Sequence, residues 1–243
     1  MKYIYILFLL LSSLSYSQQP YYDGIDFNQI GLDLKTALAN KISSNNTPLP
    51  YSSSSYDTWD ALKETDKDPD NSSNVLLIYN SSSVPKDNTL GDGNTGPEDW
   101  NREHVFARAL AGPSLETNVP GPGTDIHNLR ASNPAVNSDR GSLKFADGNG
   151  TYGAVSGGWY PGDDWKGDVA RIIMYMYVRY DGDGTSVEET YCWPSNVGIG
   201  SNTSTPDDMI DLFLQWNADD EVSAIEMQRN TVSENRVQKI SII

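Results

Sequence analysis

Apolar residues recur at four-residue steps over 30–42 (IGLDLKTALANKI). Ile30, Leu34, Leu38 and Ile42 fall on one face, the spacing of an amphipathic helix with its stripe turned inward. The Ser-, Asn- and Pro-rich stretch 43–55 reads as loop, and Trp59, Leu62 and Lys63 suggest a short helical turn. Residues 75–79 (VLLIY) form a continuous apolar run between Ser/Asn-rich turns, the mark of a short buried strand. Residues 80–99 are dense in Gly, Asn, Asp and Ser and read as surface loop. The strongest helical signal covers 167–180, where Val169, Ile172, Ile173, Met176, Tyr177 and Tyr180 share a face and Asp168 sits near the positive end of the dipole. Another helix opens with Thr205 as cap, Pro206 at the first helical position and Asp207 and Asp208 in the first turn; Met209, Ile210, Phe213 and Trp216 are its buried side. A last helix covers 221–230. No repeat period or linker interrupts the chain, so the expectation is one α+β domain with helices packed around a small, irregular β region.

The first residues carry an address. Lys2 precedes a compact apolar run, 3–11, and a small polar stretch, 12–18, in which Ser15 and Ser17 suit a cleavage site. This order predicts a secretory leader over 1–17, a folded domain over 18–243, and a secreted or periplasmic bacterial protein. No run of 18 apolar residues occurs, so no membrane span is expected. Six Trp, fourteen Tyr and five Phe supply a real core. The lone Cys192 excludes an internal disulfide framework and reads as a buried thiol. A net charge of −16 argues against a polyanion binder that works through an overall positive field. Any nucleic-acid chemistry must then come from a local site.

That site has one candidate segment. The chain holds two histidines, His104 and His127, and both fall within 98–141, a window dense in Asn, Asp and Arg. Around it, Arg102, Arg108, Arg130, Arg140 and Lys144 nearly balance the local carboxylates in a chain that is acidic elsewhere. A phosphate-directed site needs such a departure. Phosphodiester hydrolysis requires an activated water, neutralisation of the non-bridging oxygens and help for the leaving alkoxide. A histidine can take the proton from water. A hard divalent cation on oxygen ligands can do the rest, and Glu103 and Asn137 offer a carboxylate and an amide oxygen. An arginine such as Arg140 can hold the phosphate as a bidentate fork.

The motif Asn101-Arg102-Glu103-His104-Val105 resembles the central motif of the bacterial secreted endonuclease I family, nonspecific nucleases with a His-Me finger (ββα-metal) fold. Asp125-Ile126-His127-Asn128-Leu129 and the block from Asn133 to Arg140 resemble the family's second motif. Lys166 to Arg171, Trp216 and Arg229-Asn230 follow in family order, so the likeness runs from about Tyr21 to Asn230. The resemblance implies His104 as general base, Glu103 and Asn137 as metal ligands, with Mg²⁺ the expected cation and Mn²⁺ or Ca²⁺ as alternatives. It places Asn137 on the helix after the second strand and gives 5′-phosphate and 3′-hydroxyl products. Arg140 is the expected phosphate contact, with a structural ion pair as its equal alternative, and His127 a supporting residue. Expected partners are DNA, with RNA as a further substrate, held through the phosphate backbone by a monomer off the membrane.

Two rival readings are open from the residues. One is a non-enzymatic calcium- or glycan-binding module, using the acidic runs at 66–70 and 181–185; neither run has the full pattern of a helix-loop-helix calcium site. The other is a zinc hydrolase, for which a His-Glu-x-x-His helix is missing. The proposed site also makes a geometric demand. Neighbours on a regular strand point to opposite faces, so Glu103 and His104 can serve one phosphate only at a bulge or a strand end. Irregular backbone near Glu103 is therefore expected.

Overall fold

The computed structural model describes residues 20–44, 46–90, 96, 98–180, 191–200 and 209–234. The leader assigned to 1–17, the acidic run at 181–185 and the helix start at 205–208 lie outside the described residues. The elements run α1 (Gly31–Ser43), α2 (Thr58–Thr65), β1 (Asn74–Leu76), β2 (Ser83–Pro85), β3 (Asn101–His104), β4 (Leu129–Ser132), α3 (Pro134–Arg140), β5 (Gly153–Val155), β6 (Gly158–Tyr160), α4 (Lys166–Arg179), α5 (Pro194–Val197), α6 (Asp211–Asp219) and α7 (Ala224–Val232). The strands pair only two by two, as antiparallel β1–β2, β3–β4 and β5–β6. Small sheets among helices make the α+β architecture that the pattern predicts.

The centre is α4. Val169, Ala170, Ile173 and Met176 are completely buried, and the helix packs on α1 and α6. From α6, Phe213 and Trp216 close the core, with Phe145 and Tyr160 edge-on to the Trp216 ring. Such aromatic pairs fit the large apolar side chains counted in the sequence. Local caps explain where helices begin. The Asp57 carboxylate accepts from the Trp59 N–H at the start of α2, and Ser223 with Glu226 forms a reciprocal capping box on α7. Asn133 Oδ1 accepts from Ala135 and Val136 at the start of α3, where Pro134 takes the position that needs no donor.

Three expectations are corrected. Ile30 is 84 % exposed because it precedes α1 as the cap residue; the helix buries Ala39 and Ile42 instead. The stretch 80–99 is not all loop: β2 pairs with β1, with Val84 buried opposite Val75. A strand of three residues is stabilised by its pairing and leaves little periodicity to read. α6 begins at Asp211, so Met209 and Ile210, expected on its buried face, precede it. Met209 and Ile210 are buried, but as extended chain leading into the helix.

Candidate active site

The window 98–141 folds into a strand–loop–strand–helix unit. β3 pairs with β4 in regular register, Asn101 opposite Ser132, Arg102 opposite Ala131, Glu103 opposite Arg130 and His104 opposite Leu129, and α3 follows directly. The irregularity expected near Glu103 is not there. Pairing is unbroken through all four positions, and His104 is the last residue of the strand. Alternation therefore sends the Glu103 and His104 side chains to opposite faces, and one phosphate can reach both only around the end of β3, where His104 stands. Their partners differ accordingly, and no contact joins the carboxylate to the imidazole.

On one face lies His104. Its ring stacks on Tyr51, with centroids 5.7 Å apart and planes at 24°. Its Nε2 lies 2.8 Å from the carbonyl oxygen of Gly123. A carbonyl only accepts, so Nε2 carries the proton and Nδ1 holds the lone pair. Burial, opposed by the Gly123 carbonyl and helped by the nearby charges of Arg108, Arg102 and Arg140, lowers the pKa to about 4. The ring is thus neutral at pH 7, with a base nitrogen free of that hydrogen bond. Gly123 is required by close approach: a Cβ there would meet the Glu116 carbonyl oxygen at 2.0 Å. The Arg102 guanidinium covers the same Tyr51 ring at 3.4 Å, lies 4.0 Å from the Trp59 ring and donates to the Tyr51 carbonyl and to Thr58 Oγ1.

On the other face lies Glu103, 2 % exposed. Its Oε1 accepts from the Tyr79 hydroxyl at 2.9 Å and lies 3.3 Å from Arg140 Nη1. Burial raises its pKa, against the pull of Arg140 and Tyr79. Asn137, on α3, donates from Nδ2 to Asn101 Oδ1 at 3.0 Å, a bond that does not use its amide oxygen. Arg140 does not match its expected place. It is 1 % exposed and donates to the carbonyls of His104 and Val105 at 3.0 and 2.8 Å as well as pairing with Glu103. Its guanidinium ties the end of β3 to α3 through Nη1 and Nη2, while Nε is buried with no hydrogen-bond partner among the described residues. Nearby, Arg108 is 43 % exposed in its side chain, with Nε anchored on the Leu115 carbonyl at 2.6 Å.

His127 lies in the turn before β4, away from these groups. Its ring meets Tyr175 of α4 at 4.6 Å, its backbone N–H donates to Asp125 Oδ1, and its Nε2 is buried with no hydrogen-bond partner among the described residues. Asp125 in turn accepts from Tyr175, Tyr180 and Arg179. Burial lowers the pKa of His127 to about 4, with Asp125 opposing and Arg179 adding to the shift. The unfolded chain takes up this proton near pH 6.5 and the folded chain only near pH 4. Stability is therefore full above pH 7 and falls as pH drops through that interval, by about 2 kcal/mol at pH 5 from His127. Urea unfolding at pH 7.5 and 5 should show this loss, and His127→Gln should reduce the difference between the two midpoints. An unchanged difference in that variant would remove His127 as a source of acid lability.

In the acidic run at 66–70, Asp66 and Asp68 face inward and Asp70 is exposed. Asp66 is completely buried, pairs with Arg130 Nε at 3.2 Å and with Arg229, and accepts the Ala131 N–H; Asp68 accepts from Ser83 and from the Asp70 N–H. These carboxylates join α2, β4 and α7 and are not arranged as a calcium loop. Cys192 is buried and free. Sequence reading missed Tyr51, Tyr79, Asn101 and Gly123. Aromatic residues beside polar turns and a Gly-Pro-Gly segment at 121–123 were the only traces they left.

Residues 30–239 match the Endonuclease I family, and the chain belongs to it. Among similar proteins, an extracellular ribonuclease of Bacillus subtilis (strain 168) is 39 % identical over 224 residues, which cover 90 % of this chain and 72 % of that protein. An extracellular ribonuclease of Bacillus amyloliquefaciens is 40 % identical over 209 residues, 83 % of this chain and 66 % of that protein.

Proposed function

We propose that this chain is a secreted endonuclease that hydrolyses phosphodiester bonds of DNA and RNA by general-base catalysis with one hard divalent cation. We read β3–β4–α3 as a His-Me finger. The observation that carries the proposal is the tautomer of His104: its Nε2 proton is held by the Gly123 carbonyl, so Nδ1 is the nitrogen able to accept a proton from the attacking water. The same carbonyl stabilises the imidazolium that forms, and the Tyr51 ring keeps the imidazole plane in place. RNA stands beside DNA because the two Bacillus relatives are named ribonucleases.

The Glu103 carboxylate and the Asn137 amide oxygen fit a hard cation, being oxygen donors held against one strand by α3. No group of three or more His, Cys, Asp or Glu suited to a metal occurs among the described residues, so these two oxygens, with water and a phosphate oxygen, make the set. When bound, the ion supplies positive charge against the oxygens of the transition state and the leaving 3′ oxygen. Arg140 and Tyr79 orient Glu103, and the exposed Arg108 replaces Arg140 as the phosphate-facing cation. Products carry 5′-phosphate and 3′-hydroxyl ends. The protein acts as a monomer, Mg²⁺ is the expected ion, and the leader at 1–17 directs export.

Cleavage of plasmid and of RNA with Mg²⁺ or with EDTA tests this reading. EDTA should abolish cutting, and Glu103→Gln or Asn137→Ala should raise the Mg²⁺ needed for half-maximal rate by about 10-fold or more. Full activity in EDTA would refute the cation-assisted mechanism.

A further inference from the structure

Beside Glu103, and separated from it by one tyrosine side chain, lies a groove of about 390 Å³. The turn Tyr79–Asn80–Ser81 forms one wall; Thr151 and Tyr152 form the second; the loop carrying Asp163, Asp164 and Trp165 forms the third. Tyr79 and Ser81 both hold left-handed backbone, at φ 72° and 54°, which side chains of their kind rarely adopt. The turn keeps that shape through Ser81 Oγ, which accepts from the Trp165 indole at 3.0 Å, and through the Tyr79 hydroxyl on Glu103. The opposite walls touch at Gly162, where a Cβ would lie 3.3 Å from the Tyr152 nitrogen, and the Asp163 N–H donates to the Gly150 carbonyl. Connections to three different parts of the chain therefore hold the groove open.

Its chemistry excludes a phosphate. The exposed carboxylate of Asp164 and that of Asp163, one of whose oxygens already accepts from the Tyr160 hydroxyl, repel one and instead offer acceptors to N–H and O–H groups. The half-buried Tyr152 ring, held against Trp159 with centroids 6.0 Å apart, offers its remaining aromatic surface. Acceptors beside an aromatic ring suit the base and sugar of a nucleotide, whose bases present N–H groups and a π-face once unstacked. Resting on the nuclease reading above, we propose that this groove is a nucleoside subsite. It takes one unpaired base with its sugar while the adjoining phosphate lies at Glu103, and Tyr79 is the shared wall between the two.

Short single-stranded oligonucleotides with one cleavable bond, the other linkages being methylphosphonates, test the subsite. The base on the 5′ or the 3′ side of that bond is replaced by an abasic residue. In the native enzyme, removal on one side should lower kcat/KM by about 10-fold or more, the size expected of a base stacked on an aromatic ring. Tyr152→Ala should lower kcat/KM on the intact oligonucleotide by a similar factor and erase the difference between intact and abasic substrates. Asp164→Ala, at an exposed position, gives a second reading with little demand on folding, and should also narrow that difference; thermal melting confirms that each variant is folded. Equal rates on intact and abasic substrates in the native enzyme would overturn the proposal. So would a full difference retained in Tyr152→Ala, or an Asp164→Ala variant whose rates rise equally on both substrates, the mark of lost repulsion alone. Failure of the nuclease reading is distinct, since the native enzyme would then cut none of these oligonucleotides.

Discussion

His104→Ala is expected to cut DNA and RNA about a hundred- to ten-thousand-fold more slowly than the parent, the range for loss of a positioned general base. The geometry makes the fall one of kcat. The ring holds no other polar partner than the Gly123 carbonyl and no contact to Glu103, so the cation ligands and the binding surface stay in place. Substrate affinity should change little, and kcat and kcat/KM should fall together. Added imidazole should restore part of the rate, because the gap left above Tyr51 admits a small base. The base role also explains why the ring is kept neutral. With a pKa near 4 it retains its lone pair across the neutral range, at the expense of basicity. A purified, folded variant that cuts within 10-fold of the parent would remove His104 from this role and leave the water to be activated by another group.

Asp66→Ala should be the most destabilising single change. Two buried arginines pair with this carboxylate: Arg130, opposite Glu103 on the paired strands and also 3.4 Å from Asp168, and Arg229 of α7, the one most affected by the loss. Burial already lowers the pKa of Arg229 to about 9, a measure of how poorly its charge is solvated there. Arg229 also donates to the carbonyls of Ile126 and Leu129, and Asp66 accepts the Ala131 N–H, so the cluster binds β4 from both sides. Removing one partner of a buried ion pair costs about 3–5 kcal/mol because the remaining charge is left without compensation. For a chain of this size that lowers Tm by on the order of 10 °C, readable by calorimetry. Activity should fall with it on heating, since β4 carries the register of β3. A loss below about 1 kcal/mol would show that water or another carboxylate replaces Asp66 and that the cluster is not what holds the active strands.

Much of the architecture is legible in local pattern. The 167–180 stripe predicts α4 within a residue or so, and Val169, Ile173 and Met176 are buried as that stripe requires. Phe213 and Trp216 are buried although their helix starts only after Met209 and Ile210. The 3.6-residue period survives in any environment that has one wet and one dry side. Short strands lack that redundancy. β1 and β2 exist because they find each other, and the chain just past β1 is held where the Ile78 N–H donates to the Ala131 carbonyl, a partner far along the sequence.

Within the candidate site the division is similar. Residue type limits the candidates to side chains able to take a proton from water or ligate a hard ion, and the ordered motifs, which resemble the endonuclease I family to which the chain belongs, single out Glu103, His104 and Asn137 among them. Residue type could not tell an arginine that faces phosphate from one that holds carbonyls. Arg140 and Arg108 look alike in a string of letters; only folding buries the first under β3 and leaves the second exposed. Nor could it find Tyr51, Tyr79 and Gly123, whose roles are set by what lies next to them in space: a ring to stack on, a carboxylate to bond, a carbonyl to approach. Chemical capacity is a property of a residue and is written in its name. Position, burial and partner belong to the packed chain, where contacts distant in order decide which capacity is used.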